Sequence, residues 1–168
     1  MDDSKMTQRI VLGAGPLGEP LFRNHGQQVA ALCWRTAKGV GVEILLVTSL
    51  NSKRWILPKG WAETGMTLAE NAAREAFEEA GVTGSVEEQP IGAYHYLKQK
   101  RDGGGMPCRV DVFAMKVTRL HDEWPERGTR RMEWVTPEQA AARVSEPALR
   151  DLLRGFRRDQ AGARRHAG

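Results

Sequence analysis

The chain has 168 residues, 40% of them hydrophobic and 27% charged, with 25 Lys and Arg against 21 Asp and Glu. One domain with a real core fits this length, and the composition excludes global disorder. No apolar run is long enough to span a bilayer, and MDDSKMTQRI lacks the apolar core of a secretory signal, so neither a membrane nor secretion is expected. The net charge of +4 has one source: from Arg150 onwards, six Arg stand against two Asp. The remainder is balanced, so the charge marks a basic tail and not a basic groove, and nucleic acid is not an expected partner. Cys33 and Cys108 make no disulfide framework and have no companions at zinc spacing, which points to a reducing, cytoplasmic setting.

In chain order, residues 1–24 form a polar, glycine-bearing leader that is expected to be flexible. Val29–Arg35 and Glu43–Leu50 read as strands, joined by the turn sequence AKGVG. Trp55–Leu57 is a short apolar run stopped by Pro58. Residues 67–80 carry the clearest helix. Thr67 and Glu70 have capping-box spacing, and Gly81 suits the position after the helix. Ala69, Ala72, Ala73, Ala76, Phe77 and Ala80 share one face, while Glu75, Glu78 and Glu79 fall on another. Ile91–Lys98 and Arg109–Val117 read as strands joined by a flexible loop, QKRDGGGMP. Arg131–Val135 is a short strand, Pro137 opens a helix, and Pro147 opens a last one over Ala148–Phe156. The interspersed order predicts an α+β fold, a mixed sheet in an α/β/α sandwich, with one domain over residues 25–157 and a basic tail over 158–168.

Chemistry concentrates in Leu57–Val82, LPKGWAETGMTLAENAAREAFEEAGV. A loop with Gly60 and Gly65 leads directly into the helix that carries Glu75, Glu78 and Glu79. Carboxylates at i, i+3 and i+4 repel one another unless water or a cation screens them. An all-oxygen cluster suits Mg²⁺, or Mn²⁺ in its place. The glycines let the backbone approach the same ion through a carbonyl of Lys59 or Gly60. The alternative is a solvated Glu-rich helix face.

The segment resembles the signature of the Nudix hydrolases, with Gly60, Arg74, Glu75, Ala76, Glu78, Glu79, Gly81 and Val82 in register. The order from Ser52–Trp61 to the later Arg-Arg-Met-Glu-Trp and Thr-Pro-Glu-Gln-Ala resembles the branch near diphosphoinositol polyphosphate and dinucleoside polyphosphate hydrolases. The resemblance implies a Nudix-like mixed sheet, a central catalytic helix and one or two C-terminal helices. It also implies metal-dependent hydrolysis of a pyrophosphate linkage in a small phosphorylated molecule. Metal ligation falls to Glu75, Glu78, Glu79 and Gly60. Catalysis falls to the same three Glu with Arg74, which orients a helix carboxylate. Substrate binding falls to Arg54, Lys59 and Arg130. Lys98, Lys100, Arg101 and Arg109 are a further candidate phosphate rim, and a loop acid within Asp122–Glu126 is a candidate base. One position departs: the first Glu of the signature is Met66, with Glu63 three residues earlier as a substitute carboxylate. That departure motivates a second reading, a catalytically weakened nucleotide-binding or sensing module.

Overall fold

The computed structural model describes residues 26–158; the leader over 1–24 and the tail beyond Arg158 lie outside the described residues. Strand β1 (Gly26–Ala37) and strand β2 (Gly41–Thr48) form the expected hairpin. Gly39 and Gly41 take positive φ values of 79° and 98° there, which a side chain would disfavour. β3 (Trp55–Ile56) extends the edge beyond β2, and β4 (Lys59–Trp61) returns to pair antiparallel with β1. Helix α1 (Leu68–Ala80) follows, then β5 (Val82–Val86), β6 (Gly92–Gln99) and β7 (Gly105–Leu120). β8 (Met132–Val135), α2 (Pro137–Arg143) and α3 (Pro147–Gly155) complete the described chain.

The eight strands form one mixed sheet, whose central pair is β1 and β7, running parallel. Each is long enough to serve different neighbours along its length. β1 pairs with β4 at its start and β2 at its end, and β7 pairs with β6 and then β5. Both faces of β1 are covered, so it reads as a continuous apolar run. Val29, Ala31 and Cys33 face the alanines of α1, while Ala30, Leu32 and Trp34 face α2 and α3. This is the expected helix–sheet–helix sandwich.

Three local expectations change. β4 and β5 do not stand out in the sequence: β4 has three residues, and β5 is VTGSV, which reads as a turn. The long loop after residue 98 is instead a tight hairpin turn over Lys100–Gly104, closed by Lys100 N–H donating to the Gly104 carbonyl at 2.7 Å. Phe77 leaves the alanine stripe and packs edge-on against His121, with ring centroids 5.2 Å apart.

Candidate active site

Helix α1 is built as its sequence predicts. The Thr67 hydroxyl accepts from the Glu70 N–H, the Glu70 carboxylate accepts from the Thr67 N–H, and Gly81 closes the helix in the left-handed region. At 100° per residue, Glu75 and Glu79 lie at the border of the alanine stripe and Glu78 further round. They differ accordingly. Glu75 and Glu79 are buried, at 7% and 5% exposure, whereas Glu78 is half-exposed.

The loop before α1 brings the backbone against these two carboxylates. The Lys59 N–H donates to Glu79 Oε2 at 3.3 Å. A Cβ at Gly60 would stand 2.3 Å from Glu75 Oε1, so the absence of a side chain there is what lets Glu75 reach the strand. The register of β4 on β1 pairs Gly60 with Val29. Ala31 N–H donates to the Pro58 carbonyl, and Ala62 N–H to the Gln27 carbonyl. By the alternation of an antiparallel ladder, Gly60 turns its N–H and C=O toward β1, and Lys59 turns its own toward α1. The backbone oxygen available to the site is therefore that of Lys59, and Gly60 contributes space.

Arginines hold the carboxylates. Arg130 donates to Glu79 Oε1 at 3.2 Å, to Glu126 at 3.3 Å and to the Thr48 carbonyl at 3.0 Å, so it is an orienting group for Glu79 within the site. Glu126 belongs to the loop that packs over the end of α1, where its N–H donates to the Glu78 carbonyl at 3.0 Å. Of the candidate loop acids, Glu126 is the one that lines the cleft. Burial pushes the Glu79 carboxyl up to about 8; Arg130 opposes this, and Glu75 and Glu126 reinforce it.

Arg74 donates to Glu63 at 2.5 Å and to Glu75 at 3.4 Å, with Glu78 3.8 Å away. The same guanidinium nitrogen that meets Glu63 lies 3.9 Å from Met66 Sδ. Glu63 thus gives Arg74 a carboxylate partner beside Met66, and the reading as a weakened module is not favoured. Asn71, fully buried, was not singled out by the sequence. Its amide donates to the Glu63 and Thr67 carbonyls, and its oxygen accepts from Glu63 N–H and Arg74. A buried Asn has no sequence mark that separates it from a solvated one.

Glu75, Glu78, Glu79, Gly60, Glu126 and Arg130 line a cleft of about 710 Å³, whereas Arg74, Glu63 and Asn71 are not part of its lining. On one side stands the loop from Ser49 to Arg54; on the other stand Trp61 and the end of β6. Arg54 donates to Glu146 at 3.2 Å. Lys59 extends its ammonium to Tyr96 Oη at 2.8 Å and Gln28 Oε1 at 3.3 Å, and burial lowers it to about 8, with Glu79 opposing that shift. Lys98 lies over the Trp61 ring, 4.8 Å from its centroid. Of the candidate rim, Lys98 lines the cleft; Lys100 and Arg101 stand on the hairpin turn, and Arg109 donates to Asp111. Gln28 and Tyr96 are cleft residues that the sequence did not disclose, because strand residues facing a cleft alternate like those facing a core.

The donor set fits a hard divalent cation: it is all oxygen, two of its carboxylates are buried, and a backbone carbonyl borders them. Among the described residues no three His, Cys, Asp or Glu side chains are placed to hold a metal ion together.

Residues 25–156 match the NUDIX domain family model, and the chain belongs to that family. Nudix hydrolase 12, mitochondrial, of Arabidopsis thaliana is 38% identical over 105 residues, covering 59% of this chain and 50% of that protein. Diphosphoinositol polyphosphate phosphohydrolase 3-alpha of Mus musculus is 32% identical over 117 residues, covering 68% of this chain and 66% of that protein. The chain thus spans about half to two thirds of these curated relatives. Among solved structures, a Caenorhabditis elegans Ap4A hydrolase matches with a TM-score of 0.55 at 20% identity, covering 77% of this chain and 94% of that one. At that identity the likeness establishes the fold.

Proposed function

We propose that this protein is a divalent-metal-dependent pyrophosphohydrolase that cleaves a P–O–P linkage in a nucleoside diphosphate derivative, with dinucleoside polyphosphates as the preferred class. One observation carries the reading: two buried carboxylates, Glu75 and Glu79, open onto a cleft beside the Lys59–Gly60 backbone and below a wall of cations. Glu75, Glu79, Glu78 and the Lys59 carbonyl would hold Mg²⁺ or Mn²⁺. When bound, the ion supplies charge to phosphate oxygens and acidity to a water. Arg130 and Arg74 orient Glu79 and Glu75. Glu78, the most exposed of the three, has the freedom to complete the ligand set or take the proton of the attacking water. Lys59 and Lys98 offset phosphate charge, with Arg54, paired to Glu146, as a further cation at the cleft edge, so the rate comes chiefly from positioning and electrostatics.

The apolar rim favours a flat group on the substrate. Trp61 is half-buried at the cleft wall, and Leu50 and Leu97 are 47% and 61% exposed at its mouth. Such a surface suits a nucleobase better than a ring studded with phosphates. No helix among the described residues is long and apolar enough to cross a membrane, and both described cysteines are buried thiols. The test is product analysis on diadenosine polyphosphates, ADP-ribose and diphosphoinositol polyphosphates with Mg²⁺ or Mn²⁺. Glu79→Gln lowers kcat at least about a hundredfold while the fold persists. Unchanged turnover in a folded variant overturns the assignment.

A further inference from the structure

Glu146 is a buried carboxylate with an unusual allegiance. It precedes α3 as the cap residue, yet its side chain makes no hydrogen bond to that helix. It reaches instead to Arg54, 92 residues away in sequence, and meets the guanidinium at 3.2 Å. The Glu146 side chain is 10% exposed and does not line the cleft, whereas that of Arg54 is 42% exposed and does. The carboxylate therefore lies behind the arginine and acts on the cleft through it.

The charge balance of the cleft gives this contact its meaning. Its lining holds four cations, Arg54, Lys59, Lys98 and Arg130, and four carboxylates. Arg130 is committed to Glu79 and Glu126. Lys59 hydrogen-bonds neutral groups and Lys98 stacks on Trp61, so these two keep their charge for a ligand. Arg54 stands on the β2–β3 side, separated from β6 by β1 and β7 in the sheet. A substrate with a short phosphate bridge is served by the lysines. A substrate with phosphates on every side must also place one against Arg54, where Glu146 repels it from a few ångströms away. Low dielectric strengthens that repulsion, because the carboxylate is buried.

We propose that Glu146 is a positioning residue that sets substrate specificity: by pairing with Arg54 from behind, it restricts the cleft to substrates carrying few phosphates. The inference rests on the hydrolase reading above and deepens it.

The experiment compares wild type with Glu146→Gln on diadenosine tetraphosphate and on a diphosphoinositol pentakisphosphate, measuring KM and kcat separately. Glu146→Met, similar in volume and apolar, is the second variant should the first fail to fold. The expected result is a KM for the inositol compound lowered about tenfold, the scale of one charged hydrogen bond. The KM for the dinucleotide moves less than about threefold and kcat is kept for both. Adding Arg54→Gln to Glu146→Gln erases the gain. Equal shifts for both substrates, or a gain that survives loss of Arg54, overturn the proposal. If wild type cleaves neither compound, nor ADP-ribose, the hydrolase reading fails on its own. The selectivity is then read from dissociation constants of inositol hexakisphosphate and ADP, for which the same tenfold and threefold limits apply.

Discussion

A Cβ at Gly60 would stand 2.3 Å from a Glu75 carboxylate oxygen, and the atom it meets is the end of a flexible side chain. The chain therefore has an inexpensive escape: Glu75 swings aside and the fold survives. Gly60→Ala is expected to cost less than about 1 kcal/mol of stability, read by denaturant melting. It should lower kcat at least about tenfold, because a displaced Glu75 no longer reaches the strand. A large loss of stability would show that the pairing of buried Glu75 with Arg74 resists the displacement. The neighbouring departure at Met66 leads to the opposite expectation. Glu63 already holds Arg74, so Met66→Glu should change kcat by less than about threefold, whereas Glu63→Gln in the wild type should lower it more. A strong rise in rate for Met66→Glu would mean that Glu63 is a poor substitute. Much of this was legible from residues 57–82, since the spacing of Glu75, Glu78 and Glu79 on a helix defines their common location. Glu146, Gln28 and Tyr96 were not legible, because they join the site through tertiary contacts that no local pattern announces.

At the scale of elements, α1 and its loop are one unit, held by the Thr67 capping box at the surface and by Asn71 underneath. The two differ in burial, and so in cost. Thr67→Ala should lose about 1 kcal/mol, the usual worth of such a cap. Asn71→Ala removes the fully buried amide that pairs with both the N–H and the carbonyl of Glu63 and should lose about 2–4 kcal/mol, with a matching loss of activity as Glu63 and Arg74 shift. Equal effects in thermal melts would contradict this ranking. β5 is the element most hidden in the sequence, and Gly84 is the reason. It sits at a bulge against β7, where a Cβ would lie 1.9 Å from the Lys116 carbonyl oxygen. Backbone cannot yield as a carboxylate can, so Gly84→Ala should destabilise the fold by more than about 2 kcal/mol. A glycine inside VTGSV looks like a turn residue; here it permits close approach of two strands.

Over the whole molecule, one sheet separates two cores, and each of the two cysteines reports on a different place. Cys33 packs among the residues that face α1. Cys108 is fully buried on β7, where its sulfur borders Gly26. Burial pushes both thiols above their ordinary range, which suppresses the thiolate that reacts. Both should react with an aromatic disulfide reagent at neutral pH at least about a thousandfold more slowly than in denaturant, the factor set by a stability of a few kcal/mol. The two rates separate two pictures of the fold. If the central β1–β7 pair ties both cores into one cooperative unit, both thiols become reactive together, in step with the change in tryptophan fluorescence as guanidinium rises. If Cys108 reacts first, the wall carrying Trp61 and β6 opens independently of the α1 side. Lys59 and Lys98 would then stand on a moving wall, not on the rigid frame that precise placement of a phosphate bridge requires.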